Sequence, residues 1–403
     1  MYIKNFLQFR KSKNTVFESR INREIPLPDD VIQFAELFHK AGKEIYVVGG
    51  AIRDFLQGKK PKDFDLVSNA LPEESKKILS PFFRVSDEQG KNFGVIRVYT
   101  DTEPEGYEIA SYRKDISGGR DTKGDDQKVE LGSHITIEDD VQRRDLTINS
   151  LFYDINKREI VDLVGGIQDI ESGTIRSVGE ASKRFEEDRL RIMRIFRFAS
   201  RVNGKIDEQT AEAIKKDNRL KGVSSKEDVS QERIVDEMQK AYSQSKSYTF
   251  YLNLLTEFNM WEQIFPGVKI NTKIVDAQNY VTYLANLFKE EDTTKLEKKL
   301  VEEFKFDSST AMKIVFLIKL LTLNPQNVME LYSQKNRSKC DDALIIDWLT
   351  VNGKNNEKLF TKFLEFKPSV DVQEIIKMGY KKADIGIKQR ELEAEIFSKM
   401  INT

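Results

Sequence analysis

The spacing of apolar positions divides the chain into a mixed first half, where short strand-like runs alternate with short helices, and a helical second half. PDDVIQFAELFHKA, Pro28 to Ala41, places apolar residues at helical spacing behind Asp29 or Asp30 as a cap. Ile45 to Val48 is a continuous apolar run that predicts a strand. It breaks at Gly49-Gly50 into an amphipathic helix, Ala51 to Leu56, which Gly58 ends. Pro61 opens a second extended run carrying Asp63 and Asp65, two apart and therefore on one face of a predicted strand. LPEESKKILS (71–80) predicts a helix with Pro72 in its first turn, and Phe82–Val85, Gly94–Tyr99 and Tyr107–Tyr112 predict three strands. The expectation is a small sheet with helices on one side.

Periodicity then lapses. Residues 113–140, RKDISGGRDTKGDDQKVELGSHITIEDD, are polar and rich in Gly and Asp, the composition of a mobile loop. Residues 160–178 supply a strand, a glycine turn and a second strand that close this first region. From Lys183 to Val202 a helical pattern puts Ile192, Ile195, Phe196 and Ala199 on one face and Arg194, Arg197 and Arg201 on another, with Asp188 and Arg191 side by side between them. The arginines have few acids beside them, so this face is read as meeting an anionic partner. Residues 286–323 and 341–366 alternate as packed helices do, with Trp348 as core.

Composition narrows the class. At 403 residues the chain is long enough for two to four packed units, and 39% hydrophobic content with 25 Phe implies real cores. Net charge is −1, so any nucleic-acid surface must be a local basic patch. One cysteine, Cys340, excludes an internal disulfide framework and points to a reducing, cytoplasmic setting. Two histidines, His39 and His134, argue against His-rich metal chemistry and are read as surface residues. Ala311–Leu323, the longest apolar run, is too short to span a bilayer. The first 25 residues lack a signal-peptide core, and Glu18 and Glu24 spoil a transit-peptide pattern.

The stretch IYVVGGAIRDFLQGKKPKDFDLV (45–67) carries the chemistry. Two glycines let backbone N–H groups approach an oxyanion at a helix N-terminus, and Arg53 on the first turn can grip phosphate oxygens in a fork. Asp63 and Asp65 can share divalent ions. Strand, Gly-Gly, helix, then strand with Asp-x-Asp resembles the signature of the DNA polymerase β-like nucleotidyltransferases. More narrowly it resembles their class II branch, the CCA-adding tRNA nucleotidyltransferases and bacterial poly(A) polymerases.

Further motifs extend the resemblance. Glu108, on the next predicted strand, is a candidate third acid near the metal. The family has a flexible loop at about 113–140, linked to the final A addition. VQRRDLTINSLFYD (141–154) matches a family motif: Arg144 can meet a triphosphate, and Asp145 can hold that guanidinium in place. Glu187, Asp188 and Arg191 resemble the Glu-Asp-x-x-Arg nucleotide-recognition motif. A carboxylate accepting from an exocyclic amine beside a guanidinium donating to a ring nitrogen suits cytosine and adenine, and mismatches guanine and uracil. By resemblance Asp188 and Arg191 read the base, and Arg194 and Arg197 support base or phosphates. SQERIVDE (230–237) matches another motif, with Glu232-Arg233 organising a neck. Asp371, Gly379 and Gly386 match a C-terminal segment more loosely; its basic cluster suits an RNA backbone, and a plain helix–turn–helix accounts for it equally well.

The resemblance implies an α+β fold: a polymerase β-like head, a small mixed sheet with helices, followed by an all-helical neck, body and tail. The expected divisions are an extension (1–25), a catalytic head (26–180), a neck (181–245) and an RNA-binding body and tail (246–403). It implies addition of CCA to tRNA from CTP and ATP with Mg²⁺, with Asp63 and Asp65 holding metal and Gly49, Gly50, Arg53 and Arg144 cradling the triphosphate. Neither a membrane nor a stable protein partner is implied. Alternatives are a poly(A) polymerase, a CC-only or A-only adding enzyme, and, from another class, a non-catalytic RNA-binding relative.

Overall fold

The computed structural model describes residues 18–86, 94–115, 129–132, 134–220, 229–352 and 357–402. The chain forms two compact units that divide between Val229 and Ser230. The expected neck, 181–245, is therefore shared between them.

The first unit is built on an eight-stranded sheet. Its chain order is β1 (Ser19–Asn22), α1 (Asp29–Lys40), β2 (Ile45–Val48), α2 (Gly50–Leu56), β3 (Asp65–Ser68), α3 (Pro72–Leu79), β4 (Arg84–Ser86), β5 (Val95–Tyr99) and β6 (Tyr107–Ser111). A hairpin of β7 (Arg113–Asp115) and β8 (Val129–Leu131) follows, then α4 (Ile137–Gln142), β9 (Leu151–Asp154), β10 (Glu159–Asp162) and α5 (Gly166–Ser172). The strands lie in the order β1-β10-β9-β2-β3-β6-β5-β4, with β3 and β6 parallel and the other neighbours antiparallel.

Three expectations change. The sheet is larger than the pattern suggested, because β9 and β10 join it and Ser19–Asn22, within the expected extension, pairs with β10 as an edge strand. Both faces carry apolar clusters. One packs against α1, α2 and α3 through Val31, Phe34, Phe38, Ile52 and Leu79. A smaller one gathers Tyr46, Val48, Val67 and Phe152 with Ile135 and Val141. That doubly covered sheet explains why all four β2 residues are buried. The expected loop also begins and ends in regular structure, since β7 pairs with β8 and α4 starts at Ile137. The remainder of that loop, 116–128, lies outside the described residues.

Sheet register places the chemistry. Val48 pairs with Asp65 and with Phe152, Leu66 with Ile109, and Arg97 with Glu108. Neighbours in register share a face, so Arg97, Glu108, Asp65, Val48 and Phe152 form one row across the sheet. A buried carboxylate fixes the far end. Asp162 accepts from the backbone N–H groups of Val164, Gly165, Gly166 and Ile167 at 2.8–3.0 Å, which starts α5. Residue 166 must be glycine, since a Cβ would meet the Thr147 carbonyl oxygen at 2.2 Å.

After β11 (Thr174–Ile175) come α6 (Ala181–Glu187), α7 (Leu190–Val202), β12 (Lys205–Ile206) and α8 (Glu208–Lys216). The helical pattern from Lys183 to Val202 is not one helix: Asp188 is extended, with φ −154° and ψ 107°, and α7 starts afresh after Arg189.

Among its described residues the second unit is helical from α9 (Gln231–Gln244) to a last helix, Ala383–Asn402. Ser230 caps α9, accepting from the Arg233 N–H, and Asp307 and Asp371 cap later helices in the same manner. Trp348 is fully buried, as expected of a core residue. No described helix is long and apolar enough to cross a membrane.

Candidate functional site

The turn between β2 and α2 begins the site. Gly49 has φ 72° and ψ −125°, a conformation that favours glycine. Its N–H is given to the Leu151 carbonyl at 3.3 Å, so Gly49 ties the turn to β9 and does not offer that amide to a ligand. Gly50 serves differently: a Cβ there would come within 3.4 Å of Arg53 Nη2. The missing side chain lets the guanidinium fold back against the turn. Arg53 is 4% exposed, donates through Nε to Asp54 at 3.0 Å and through Nη1 to the Asn149 side-chain oxygen, and lies 5.2 Å from the Phe198 ring centroid. Burial pulls its pKa down, then Arg201, with Asp54 opposing.

Asp63 and Asp65 are both exposed, but only Asp65 is in a strand; Asp63 lies in the extended segment before β3. Desolvation pushes the Asp65 carboxyl above the usual range, then the Glu108 and Asp63 carboxylates do so, while Arg144 opposes them. Three acids thus crowd one edge of the row. Glu108 is ion-paired with Arg97, its cross-strand partner. Among the described residues no group of three His, Cys, Asp or Glu is placed to hold a metal. Glu108 is a charged neighbour of Asp65 along this row. Two hard oxygen donors whose repulsion a cation relieves fit Mg²⁺, which is bound through one or two carboxylates plus phosphate oxygens.

Arg144 is held in a way the sequence reading misassigned. Its Nε and Nη2 donate to one oxygen of Asp140 at 3.1 and 2.8 Å, and Arg143 makes the same fork on the other oxygen at 2.9 and 2.6 Å. Asp140 is fully buried. Burial is the largest influence and pushes its carboxyl up, but Arg144 and Arg143 more than offset it and hold it below the usual range. The Arg144 guanidinium lies 4.9 Å from the Phe152 ring centroid, in the row that carries Asp65. Asp145, expected to hold Arg144, instead takes Arg194 of α7, at 2.8 Å from Nε and 2.6 Å from Nη2. Asn149 connects the two systems by accepting from Arg53 and donating to Asp145 at 3.5 Å.

The break between α6 and α7 sets the next group. Asp188 accepts from the Leu190 N–H at 3.0 Å, and Arg191 donates from Nη1 to Glu187 at 2.5 Å and from Nη2 to the Arg143 carbonyl at 3.1 Å. Arg191 is therefore paired with Glu187, not with Asp188 beside it. Phe198 receives three guanidinium groups, those of Arg53, Arg194 and Arg197, at 5.2, 5.8 and 4.4 Å. Arg201 closes the network on Asp54 at 3.0 Å.

The structure thus gathers Gly49, Gly50, Arg53, Arg144, Arg194 and Arg197 with Asp145, and places Asp65 and Glu108 along the same sheet. Sequence reasoning missed Asp140 and Phe198 and gave Asn149 no role. Asp140 was detectable: an acid three and four positions before two arginines shares their helix face. Phe198 carried no such signal. A separate cleft, lined by residues such as Gln142, Arg176, Ser177 and Gln209, includes none of the expected site residues.

Comparison with known proteins bears on family and fold. Residues 45–176 match the family described as the Poly A polymerase head domain, and residues 204–271 the Probable RNA and SrmB- binding site of polymerase A. Poly(A) polymerase I of Salmonella typhimurium is 34% identical over 248 residues, 60% of this chain and 51% of that protein. The CCA-adding enzyme of Ligilactobacillus salivarius is 40% identical over 197 residues, 48% of this chain and 46% of that one. The chain therefore spans about half the length of the curated relatives it matches. Among solved structures, the Bacillus stearothermophilus CCA-adding enzyme in complex with CTP aligns with a TM-score of 0.60 at 22% identity, covering 92% of each chain. The Thermotoga maritima CCA-adding enzyme complexed with tRNA aligns with a TM-score of 0.64 at 17% identity, over 93% of this chain and 95% of that one. At such identities the likeness is one of fold.

Proposed function

We propose that this chain, which belongs through residues 45–176 to the Poly A polymerase head-domain family, is a template-independent nucleotidyltransferase that completes the CCA end of tRNA from CTP and ATP. The observation that carries the reading is the arginine network. Arg53, Arg144 and Arg194 come from three separate segments and are held by buried or half-buried carboxylates, with Arg144 close enough to Asp65 to act on its charge.

In the proposed reaction the RNA 3′-oxygen attacks the α-phosphorus of the incoming nucleotide. Its proton passes to solvent water as the new P–O bond forms, and the bond to pyrophosphate breaks, the electron pair leaving with pyrophosphate. Arg53 and Arg144 bind triphosphate oxygens and hold the α-phosphorus in line. Asp63 and Asp65 would hold Mg²⁺, which when bound would supply charge neutralisation at the phosphate oxygens. Asp188 and Arg191 read the base, which requires Arg191 to exchange its Glu187 contact for the ring nitrogen.

CCA addition is preferred over poly(A) addition on two grounds: the polar segment at 113–140 and the C-terminal resemblance. A poly(A) polymerase is the second reading, favoured by the 34% identity to Poly(A) polymerase I. A tRNA transcript ending just before CCA, given CTP, ATP or both with Mg²⁺, separates them. Two C additions followed by one A is the expected product; a ladder of A on unrelated RNA supports the second reading instead.

A further inference from the structure

Asp140 stands at a junction of elements that the reaction uses separately. Its two oxygens divide between two arginines, each gripped through Nε and Nη2. One oxygen also lies 3.4 Å from the Arg113 backbone nitrogen, at the start of β7. Arg143 and Arg144 thereby present the same edge to Asp140, and among the described residues their Nη1 ends make no hydrogen bond with protein. One buried negative charge between two positive ones leaves a net positive pair whose free ends point away from the carboxylate. A guanidinium on a flexible side chain samples many orientations, and fixing two of its N–H groups on a buried anion leaves the others aimed. The Phe152 ring under Arg144 fixes the plane of that fork.

The backbone of the same segment faces the other part of the site, since the Arg143 carbonyl accepts from Arg191. A continuous physical chain therefore runs from the base-reading candidate Arg191, through residue 143 and Asp140, to Arg144 beside Asp65.

We propose that Asp140 is a positioning residue for triphosphate recognition: it presets Arg144, and with it Arg143, in the orientation that meets the phosphates of the incoming nucleotide. A purely structural ion pair would hold the fold equally well with the arginines aimed anywhere. The proposal rests on the reading of Arg144 as a phosphate-binding group. It does not depend on which RNA is extended, so it is tested by equilibrium binding of nucleotide alone.

The test compares CTP with CMP on the intact chain. Asp140→Asn keeps the shape but removes the charge and makes one of the two accepting atoms a donor. It is expected to weaken CTP about tenfold, equivalent to about 1.4 kcal/mol, and to leave CMP within about twofold. In an Arg144→Ala background the same substitution should add little to the CTP loss, because the group it positions is gone. Asp140→Glu retains the charge with the oxygens displaced and should fall between; it also serves if Asp140→Asn does not fold. Equal losses for CTP and CMP, or a full additive loss in the Arg144→Ala background, would overturn the proposal. If the selective CTP loss appears in an enzyme that makes only poly(A), the positioning role stands and the tRNA reading falls.

Discussion

Asp145 accepts Arg194 through both Nε and Nη2, at 2.8 and 2.6 Å, across 49 positions of sequence. The arginine next to it in the chain, Arg144, turns instead to Asp140. This exchange joins α7 to the segment before β9, and through Asn149 to Arg53. α7 is thus held to the segment before β9 by a charge pair, and a mutation at either end should affect stability.

Removing the acid of that pair leaves Arg194 without its principal anion. Asp145→Ala is expected to lower unfolding stability by about 2–4 kcal/mol, somewhat less than the cost of breaking a fully buried pair, because the Arg194 side chain is 33% exposed. A urea titration of the two proteins measures it; an unchanged midpoint would mean that the pair contributes no net stability.

Acid should reveal the same groups. The Asp140 and Asp145 carboxyls both titrate below the usual range, because their arginines outweigh the opposing effect of burial. A depressed native pKa contributes stability that is fully present above the unfolded value, about 3.9 for Asp, and is lost as pH falls through the native value. Stability should therefore decline below about pH 4. Asp145→Asn should start less stable and lose less on acidification, read as a flatter plot of urea midpoint against pH.

Asp63, Asp65 and Glu108 should not be equivalent. Asp63→Ala and Asp65→Ala are each expected to reduce turnover at least about a hundredfold, a loss of the size seen when a group stabilising transition-state charge is removed. Glu108→Gln should cost far less, because Glu108 is committed to Arg97. Steady-state rates of CTP incorporation distinguish the cases, and equal losses at all three positions would restore Glu108 as a ligand. Asp65→Asn should also melt no lower than the parent, since its carboxyl is raised by desolvation, Glu108 and Asp63 and so carries a native-state penalty when ionised.

Base reading by Asp188 and Arg191, as proposed, predicts that selectivity depends on the break between α6 and α7. Arg191→Ala should reduce discrimination against UTP and GTP and should also release Glu187, its present partner. Competition among the four nucleotides for incorporation checks this; undiminished preference for C and A would assign base reading elsewhere.

Much of the site was legible before the fold was known. Gly49-Gly50, Asp63 with Asp65, and the Arg-Arg-Asp segment were visible because turn geometry, metal binding and phosphate gripping demand particular residue types at short spacings. The strands at 45–48, 95–99 and 107–111 and the helix at 29–40 followed from periodicity. What the pattern misjudged has a common cause. Ser19–Asn22 is a strand because β10 offers an open edge, and Lys183–Val202 is broken because Asp188 takes an extended conformation despite helical neighbours.

Local order in the chain determined which segments carry the chemistry, and tertiary structure decided which charge answers which. An arginine two bonds from several acids in sequence pairs with the one that packing brings to its fork. For Arg144 that is Asp140, one helical turn back. For Asp145 it is an arginine on another helix, and for Glu108 it is Arg97 across a strand pair. The partner is chosen by the geometry of burial, where an unpaired charge is costly and only a well-aimed neighbour relieves it.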